Sequence, residues 1–395
     1  MDSLFESSLF EWIMGGIIGV IITEVYEHLI KKSIAELRKR HEYKKYSFLY
    51  SSERVREKLI QYYEKKHKLD DLHVCRIGDV SRTILYLTQS SWINLRIDVL
   101  TQNDIITINP DTTRPFKTNK AMIKKRQAIG QTLFNDPTLY LSTTNGSSHF
   151  TVKKCSFYEK LSFIDSIEKE TYLYAQKTSI KIPSLRNKFY SSFERCIAAN
   201  RNPTSIGCHV ACIITIDGKK YICIEQRSKK TFTYGGYYAL LPVFGLVDIP
   251  NHIGNDPPNV LFYNIVKEYC EEFFSVEELE RNSNRTNPYW FYDQIPYAKN
   301  LIDSIKAGTS ECKYLGFGFD AVNGMGILSC LLYIKDEDIS KEIYKNNKAN
   351  WEVETSGVGI KFVEVNDTTL KTYLQDYQYQ PASAITIQMA LDYIN

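Results

Sequence analysis

What this chain lacks narrows it quickly. Its 49 Lys and Arg nearly balance 46 Asp and Glu, for a net charge of +3, so no chain-wide positive field exists to draw in nucleic acid, and no DNA partner is expected. None of its nine cysteines stands in a C-x-x-C pair, and an odd number cannot all pair internally. Scattered thiols of this kind read as reduced and mostly buried, in a cytosolic setting. Cys208, His209 and Cys212 lie close together, but their spacing matches no common zinc pattern and reads as a strand in a core. Residues 46–205 contain no internal repeat, no Gly-rich phosphate loop and no nucleophile motif. The N-terminus has no basic n-region and no A-x-A-like cleavage site. Asp2, Glu6 and Glu11 stand there instead, which argues against a secretory signal.

What is present begins with an uncharged run, WIMGGIIGVIIT, at 12–23. Twelve helical residues reach about 18 Å, short of a hydrocarbon core of roughly 30 Å. Extended to 9–30, the segment stays mostly apolar, with Glu11, Glu24 and Glu27 towards its ends. Two readings compete: a helix buried in a soluble domain, and a membrane span. The sequence that follows, KKSIAELRKRHEYKK, favours the span, because its basic excess sits where the positive-inside rule wants it. That orientation leaves tail 1–8 outside, helix 9–30 across the inner membrane in a single pass, and all the rest in the cytoplasm. Gly15 and Gly19 form a G-x-x-x-G, a spacing that lets two helix backbones approach closely.

The remainder divides by texture. Residues 31–68 read as a basic juxtamembrane helical region, with a capping box near Ser51 and Ser52. Residues 69–204 mix strand-like runs with polar helices, including a hairpin signal at Asn145-Gly146, and read as an α+β unit of unassigned role. In 205–395, HVACIITIDGKKYICIEQRS reads as two strands joined at Asp217-Gly218. A helix starting near Val260 follows, then two strands, a strand–helix pair and a closing helix behind Pro381.

The helix near Val260 carries KEYCEEFF at 267–274. Glu268, Glu271 and Glu272 share one helical face. Carboxylates one turn apart can hold magnesium, which would neutralise a diphosphate and activate water. The order of strands, the LPVFG element and this helix resemble the Nudix box, G-x5-E-x7-R-E-U-x-E-E-x-G-U, over 205–395. Gly245 suits the opening glycine, Lys267 stands at the arginine, and Glu268, Glu271 and Glu272 are the box glutamates. The departures are equally specific. Twenty-three positions separate Gly245 from Glu268 where the pattern has fifteen. Asn251 falls where the loop glutamate belongs, Phe274 replaces the second glycine, and Lys267 is a weaker fork than arginine. The expected architecture is therefore α+β and α/β: an N-terminal transmembrane helix, an α+β middle region and a C-terminal divergent Nudix-like α/β/α sandwich.

A membrane segment, a basic collar and a divergent Nudix domain together resemble the transmembrane–Nudix effectors of bacterial CBASS antiphage systems. The resemblance implies that a cyclic di- or trinucleotide made by a partner CD-NTase binds the Nudix-like domain. Homo-oligomerisation through Gly15 and Gly19 would then disrupt the membrane and abort the infection. Tyr234, Tyr237 and Tyr238 beside Gly235-Gly236, with Arg227 and Lys229 just before them, are candidates to stack on bases and meet phosphates. Two other readings stay open. One is a membrane-anchored hydrolase of nucleoside diphosphate derivatives, with magnesium on the three glutamates and turnover lost on removing Glu272. The other is a soluble nucleotide-binding regulator whose N-terminal helix is buried.

Overall fold

The computed structural model describes residues 2–77, 80–111, 117–176, 183–198, 204–228, 231–250, 258–276, 279, 287–346, 360–366, 368 and 379–395. The side chains of residues 2–22, 25, 38, 39, 77, 80 and 346 are not among those described. Lys229 and Asn251 lie outside the described residues.

The chain opens with one continuous helix, α1 (Asp2–Ser51), about 75 Å long at 1.5 Å per residue. The 9–30 segment and most of the basic collar therefore share one helix. Gly15 and Gly19 lie within it, where no side-chain surroundings are described. Among the described residues no helix is long and apolar enough to cross a membrane. The far end of α1 is embedded: Tyr46 and Leu49 are buried. Ser52 then turns the chain into α2 (Glu53–Lys65), whose Val55, Leu59, Tyr62 and Tyr63 face inward at helical spacing.

Strands β1 (Leu72–Ile77) and β2 (Val80–Leu87) form an antiparallel pair. Short β3 (Ile97–Asp98) and β4 (Ile106–Ile108) precede α3 (Lys120–Ala128), whose N-cap Asn119 accepts from Met122 N–H. Then β5 (Pro137–Asn145) and β6 (His149–Ser156) pair across the Asn145-Gly146 turn the sequence signals. Helices α4 (Phe157–Gln176), α5 (Ser184–Phe189) and α6 (Phe193–Ile197) follow.

Next, β7 (Thr204–Ile216) and β8 (Lys219–Gln226) form a hairpin at Asp217-Gly218, both with positive φ. Short β9 (Tyr238–Leu240) and β10 (Val243–Gly245) lead to α7 (Val260–Phe274), α8 (Trp290–Gln294) and α9 (Pro296–Ala307). After them come β11 (Ser310–Asp320), β12 (Gly326–Ile334), α10 (Glu337–Asn346), β13 (Lys361–Glu364) and α11 (Pro381–Ile394).

The fold is mixed α and β around one large mixed sheet. Among the described residues that sheet has 13 strands, with β1-β2-β11-β12-β7-β5-β6-β4 as its path. Strands from 69–204 and 205–395 share it: β2 pairs β11, and β5 pairs β7. The boundary drawn at 204/205 falls at the start of β7. The central pair, β7 and β12, is parallel and buried on both faces, as parallel strands usually are. Cys208, Val210, Cys212 and Ile214 face one core, which α7 and α9 cover. Ala211 and Ile213 face the opposite core, which α11 covers. The alternation is the period of two of a strand. It puts Cys208 and Cys212 on one side and His209 on the other, and all nine cysteines are buried free thiols.

The run LGFGF in β11 shows how the middle segment docks. A Cβ on Gly316 would lie 2.6 Å from Trp92 O, and one on Gly318 would lie 2.5 Å from Leu87 O. Only glycine allows the backbone of 87–92 to lie so close. Buried Arg186 fastens the same region from α5. It donates to Ala321 O at 2.5 Å, Thr171 Oγ1 at 2.6 Å, Val322 O at 3.2 Å and Tyr63 Oη at 3.2 Å.

Candidate functional site

A cleft of about 470 Å³ opens between α4, β7, β10, α7 and the loop after β8. Two polar clamps fix its walls. Gly245 pairs with Gly207 and Val243 with His209, which brings β10 to the edge of β7. Buried Asn264 then staples α7 beside β10: its Oδ1 accepts from Val247 N–H at 3.0 Å, and its Nδ2 donates to Val247 O at 3.0 Å. Asn259 caps α7 by accepting from Phe262 N–H at 3.0 Å, and its Nδ2 donates to Val99 O at 2.6 Å. At the far end, Ser275, not a glycine, takes the left-handed position at φ 49°.

Lys267, Glu268, Glu271 and Glu272 all line this cleft. The positive charge that three crowded carboxylates need is already present. Lys267 Nζ donates to Glu268 Oε1 at 2.9 Å and stands 3.6 Å from Glu271 Oε2. Glu271 Oε1 also accepts from Leu279 N–H at 2.8 Å, so it holds the turn after the helix. Among the described residues no three His, Cys, Asp or Glu side chains converge so as to hold a metal ion. Magnesium, possible at Glu268, Glu271 and Glu272 from the sequence, finds no ready-made cage among the described residues, where Lys267 already pairs with two of the three carboxylates.

The candidates around Gly235-Gly236 part company. Arg227 lines the cleft, buried, with Nη1 3.4 Å from Glu225 Oε1. Tyr234 and Tyr237 instead line a separate cavity of about 80 Å³ at the junction of α1 and α2. Tyr234 has φ 51° and donates to Asp320 Oδ2 at 2.6 Å. Tyr238 lines neither, accepting from Lys361 Nζ at 3.0 Å, with its ring 6.5 Å from that of Tyr379. The loop after β8 is thus a partition. Arg227, Thr231, Phe232 and Thr233 face the cleft, while Tyr234 and Tyr237 face the end of α1.

The partition is tied into the middle segment by buried charge. Arg126 of α3 donates to Phe232 O at 3.0 Å, to Asp165 Oδ1 at 3.0 Å and to Glu168. Tyr46 donates to Asp165 Oδ1 at 2.7 Å, and Tyr50 donates to Glu168. Burial pushes the Glu168 carboxyl up, and the Arg126 guanidinium opposes it.

Several cleft residues escape a motif-based reading. His209 Nδ1 lies 2.9 Å from Ser383 Oγ of α11, and burial followed by the nearby Arg227 charge pushes its pKa down to about 3. It is neutral at physiological pH. Phe134, Phe157, Phe232 and Phe244 give the cleft aromatic surface, and buried Gln380 reaches it from the α11 side with Oε1 unpartnered. Lys160 comes from α4, where it occupies the same helical stripe as buried Ile164 and Ile167. A lysine in an apolar register is the sequence signal that could have pointed at this wall.

No family model matches the chain. No curated protein matches it either.

Proposed function

We propose that this chain is a membrane-anchored sensor and effector of a CBASS-type antiviral defence. Its cleft binds a cyclic di- or trinucleotide, and its output is oligomerisation of the 9–30 segment through Gly15 and Gly19 in the inner membrane. The observation that carries the sensor half is the cleft itself. At about 470 Å³ it falls within the size range of small-ligand sites. Phenylalanine rings stand beside buried Lys160 and Arg227, a combination that suits bases and phosphates together.

Sensing is favoured over hydrolysis because Lys267 already balances Glu268 and Glu271. A divalent cation at Glu268 and Glu271 would have to compete with that ammonium for their oxygens. The effector half is supported by continuity: α1 runs unbroken from the apolar segment to Tyr46 and Tyr50, which meet the network holding Phe232 O. A ligand that prefers one position of the loop could therefore bias α1, and only such a difference in affinity would do so.

The test uses the full chain in lipid vesicles, with magnesium, cyclic di- and trinucleotides, and linear nucleoside diphosphate derivatives. Binding of one cyclic nucleotide, recovered intact and followed by vesicle leakage, is the expected result. Steady turnover of a linear substrate that disappears in Glu272→Ala would replace this reading with that of a membrane-anchored hydrolase.

A further inference from the structure

Among the described residues, three cations line the wall of the cleft, and they are not equivalent. Arg227 faces Glu225, and Lys267 faces Glu268 and Glu271. Lys160 is only 3% exposed, yet among the described residues it forms no ion pair. Its Nζ donates to Thr138 Oγ1 at 3.1 Å. The Thr138 hydroxyl in turn donates to Leu246 O at 3.0 Å. An ammonium has three donors, and among the described residues only Thr138 Oγ1 takes one of them in this ligand-sized cleft. A buried charge with no counter-charge is strongly disfavoured unless something supplies one.

The surrounding geometry keeps that position open. A Cβ on Gly245 would lie 2.8 Å from Lys160 Nζ, so the glycine makes room for the ammonium of another segment. The ring of Phe157 lies 6.0 Å from Nζ. The nearby charged groups are otherwise engaged. Glu159 accepts from Ser156 N–H at 2.8 Å, and Lys154 pairs with Asp248. Asp136 from the start of β5, Arg227 from the loop, and Lys267, Glu268, Glu271 and Glu272 from α7 line the same cleft. Burial lowers the Lys160 pKa to about 8, opposed only by the Cys155 side chain of β6.

We propose that Lys160 is the anion-binding residue of this cleft, and that a phosphate-type oxygen of the ligand seats against its ammonium beside Gly245. The proposal deepens the sensor reading, on which its choice of ligand class rests. It assigns the counter-charge to α4, outside the 205–395 segment. Binding should be linked to protonation: an anion favours the charged lysine, so affinity falls as pH rises through about 8.

The test titrates the full chain in vesicles with inorganic pyrophosphate, by calorimetry and by thermal shift, as wild type and as Lys160→Met, Lys160→Arg and Gly245→Ala. The expected result is saturable binding by the wild type, weakened about tenfold or more in Lys160→Met. Lys160→Arg should retain part of it. Gly245→Ala should weaken it too, because the methyl displaces Nζ. The ligand-free melting temperature of Lys160→Met should hold or rise, since an uncompensated charge is removed. The fall in affinity through pH 8 should vanish in that variant. If Lys160→Met does not fold, the wild-type pH profile and Lys160→Arg still decide the matter.

Equal pyrophosphate binding by wild type and Lys160→Met overturns the proposal, as does no binding by the wild type. Lys160-dependent pyrophosphate binding without any cyclic-nucleotide binding removes the sensor reading and leaves the anion site standing. Cyclic-nucleotide binding indifferent to Lys160 does the reverse.

Discussion

The ring of Tyr50, in the last turn of α1, lies 4.1 Å from that of Tyr234, the two planes tilted by 43°. Tyr234 belongs to the loop whose preceding residues wall the cleft. Tyr50 therefore joins the element proposed to act in the membrane to the element proposed to sense the ligand. Replacing Tyr50 with alanine removes the ring contact and the hydrogen bond to Glu168 without touching a cleft residue. We expect Tyr50→Ala to bind pyrophosphate within about threefold of wild type and to lose nucleotide-triggered vesicle leakage. Leakage at the wild-type level would show that the signal does not pass through this contact.

Arg126 offers a test of stability. It is fully buried and holds Asp165, Glu168 and Phe232 O together. Arg126→Met leaves two buried carboxylates uncompensated, which should lower stability by roughly 3–5 kcal/mol. Urea unfolding monitored by the aromatic signal would measure it. A loss under about 1 kcal/mol would show that the carboxylates protonate at little cost, contrary to what Arg126 is inferred to do.

These two contacts also mark the limit of what the sequence discloses. The hairpins at Asn145-Gly146 and Asp217-Gly218, the α7 helix and its start at Val260 are local signals, and they are legible because turn chemistry and periodicity act over a few residues. The cleft is different. Gly245 and Glu268 were readable as a motif, but Lys160 reaches Gly245 from 85 positions away, and no local pattern encodes that meeting. The same holds for β5 pairing β7 and for Arg126 under Phe232. The loop separates the candidates: Arg227 lines the cleft, whereas Tyr234, at φ 51°, donates to Asp320 and lines the cavity beside α1 with Tyr237. Proximity in sequence to Gly235-Gly236 carried no information about which face each would take.

Asp320 predicts a pH dependence. Burial raises its carboxyl from 3.8 to about 6, against hydrogen bonds from Tyr234 and from the N–H groups of Val322 and Asn323. Between those two values the folded chain binds more protons than the unfolded one. Stability is therefore fully present below about pH 4 and falls as pH rises to about 6, by on the order of 3 kcal/mol from this group. Asp320→Asn should flatten that part of the profile. Melting temperatures across the window would check it, and an unchanged slope in Asp320→Asn would assign the dependence elsewhere.

The membrane step has its own variant. Gly15→Ile with Gly19→Ile adds bulk where two helices would need to approach. Neither position is near the cleft in sequence, so pyrophosphate affinity should stay as in the wild type while leakage and cell killing disappear. A double variant that still kills cells removes clustering through this motif.

Lys267 decides between the two chemistries the α7 glutamates could support. In the wild type its ammonium already balances Glu268 and Glu271, so chelating divalent ions should leave the melting temperature unchanged. Lys267→Met withdraws that charge and leaves the carboxylates facing one another in a largely buried setting, where their repulsion is poorly screened. The variant should melt well below the wild type, and magnesium should restore part of the loss, because oxygen ligands one helical turn apart then become available to it. Stabilisation by a bound ion grows with its concentration over its dissociation constant, so the rescue should be graded with magnesium. Wild type that is itself stabilised by magnesium to the same degree would mean that the lysine yields to the ion, and the glutamates would regain the catalytic role that their spacing suggests. A variant that loses stability but ignores magnesium would mean that the three carboxylates cannot converge even when freed, and that this helix serves the cleft only through its charge.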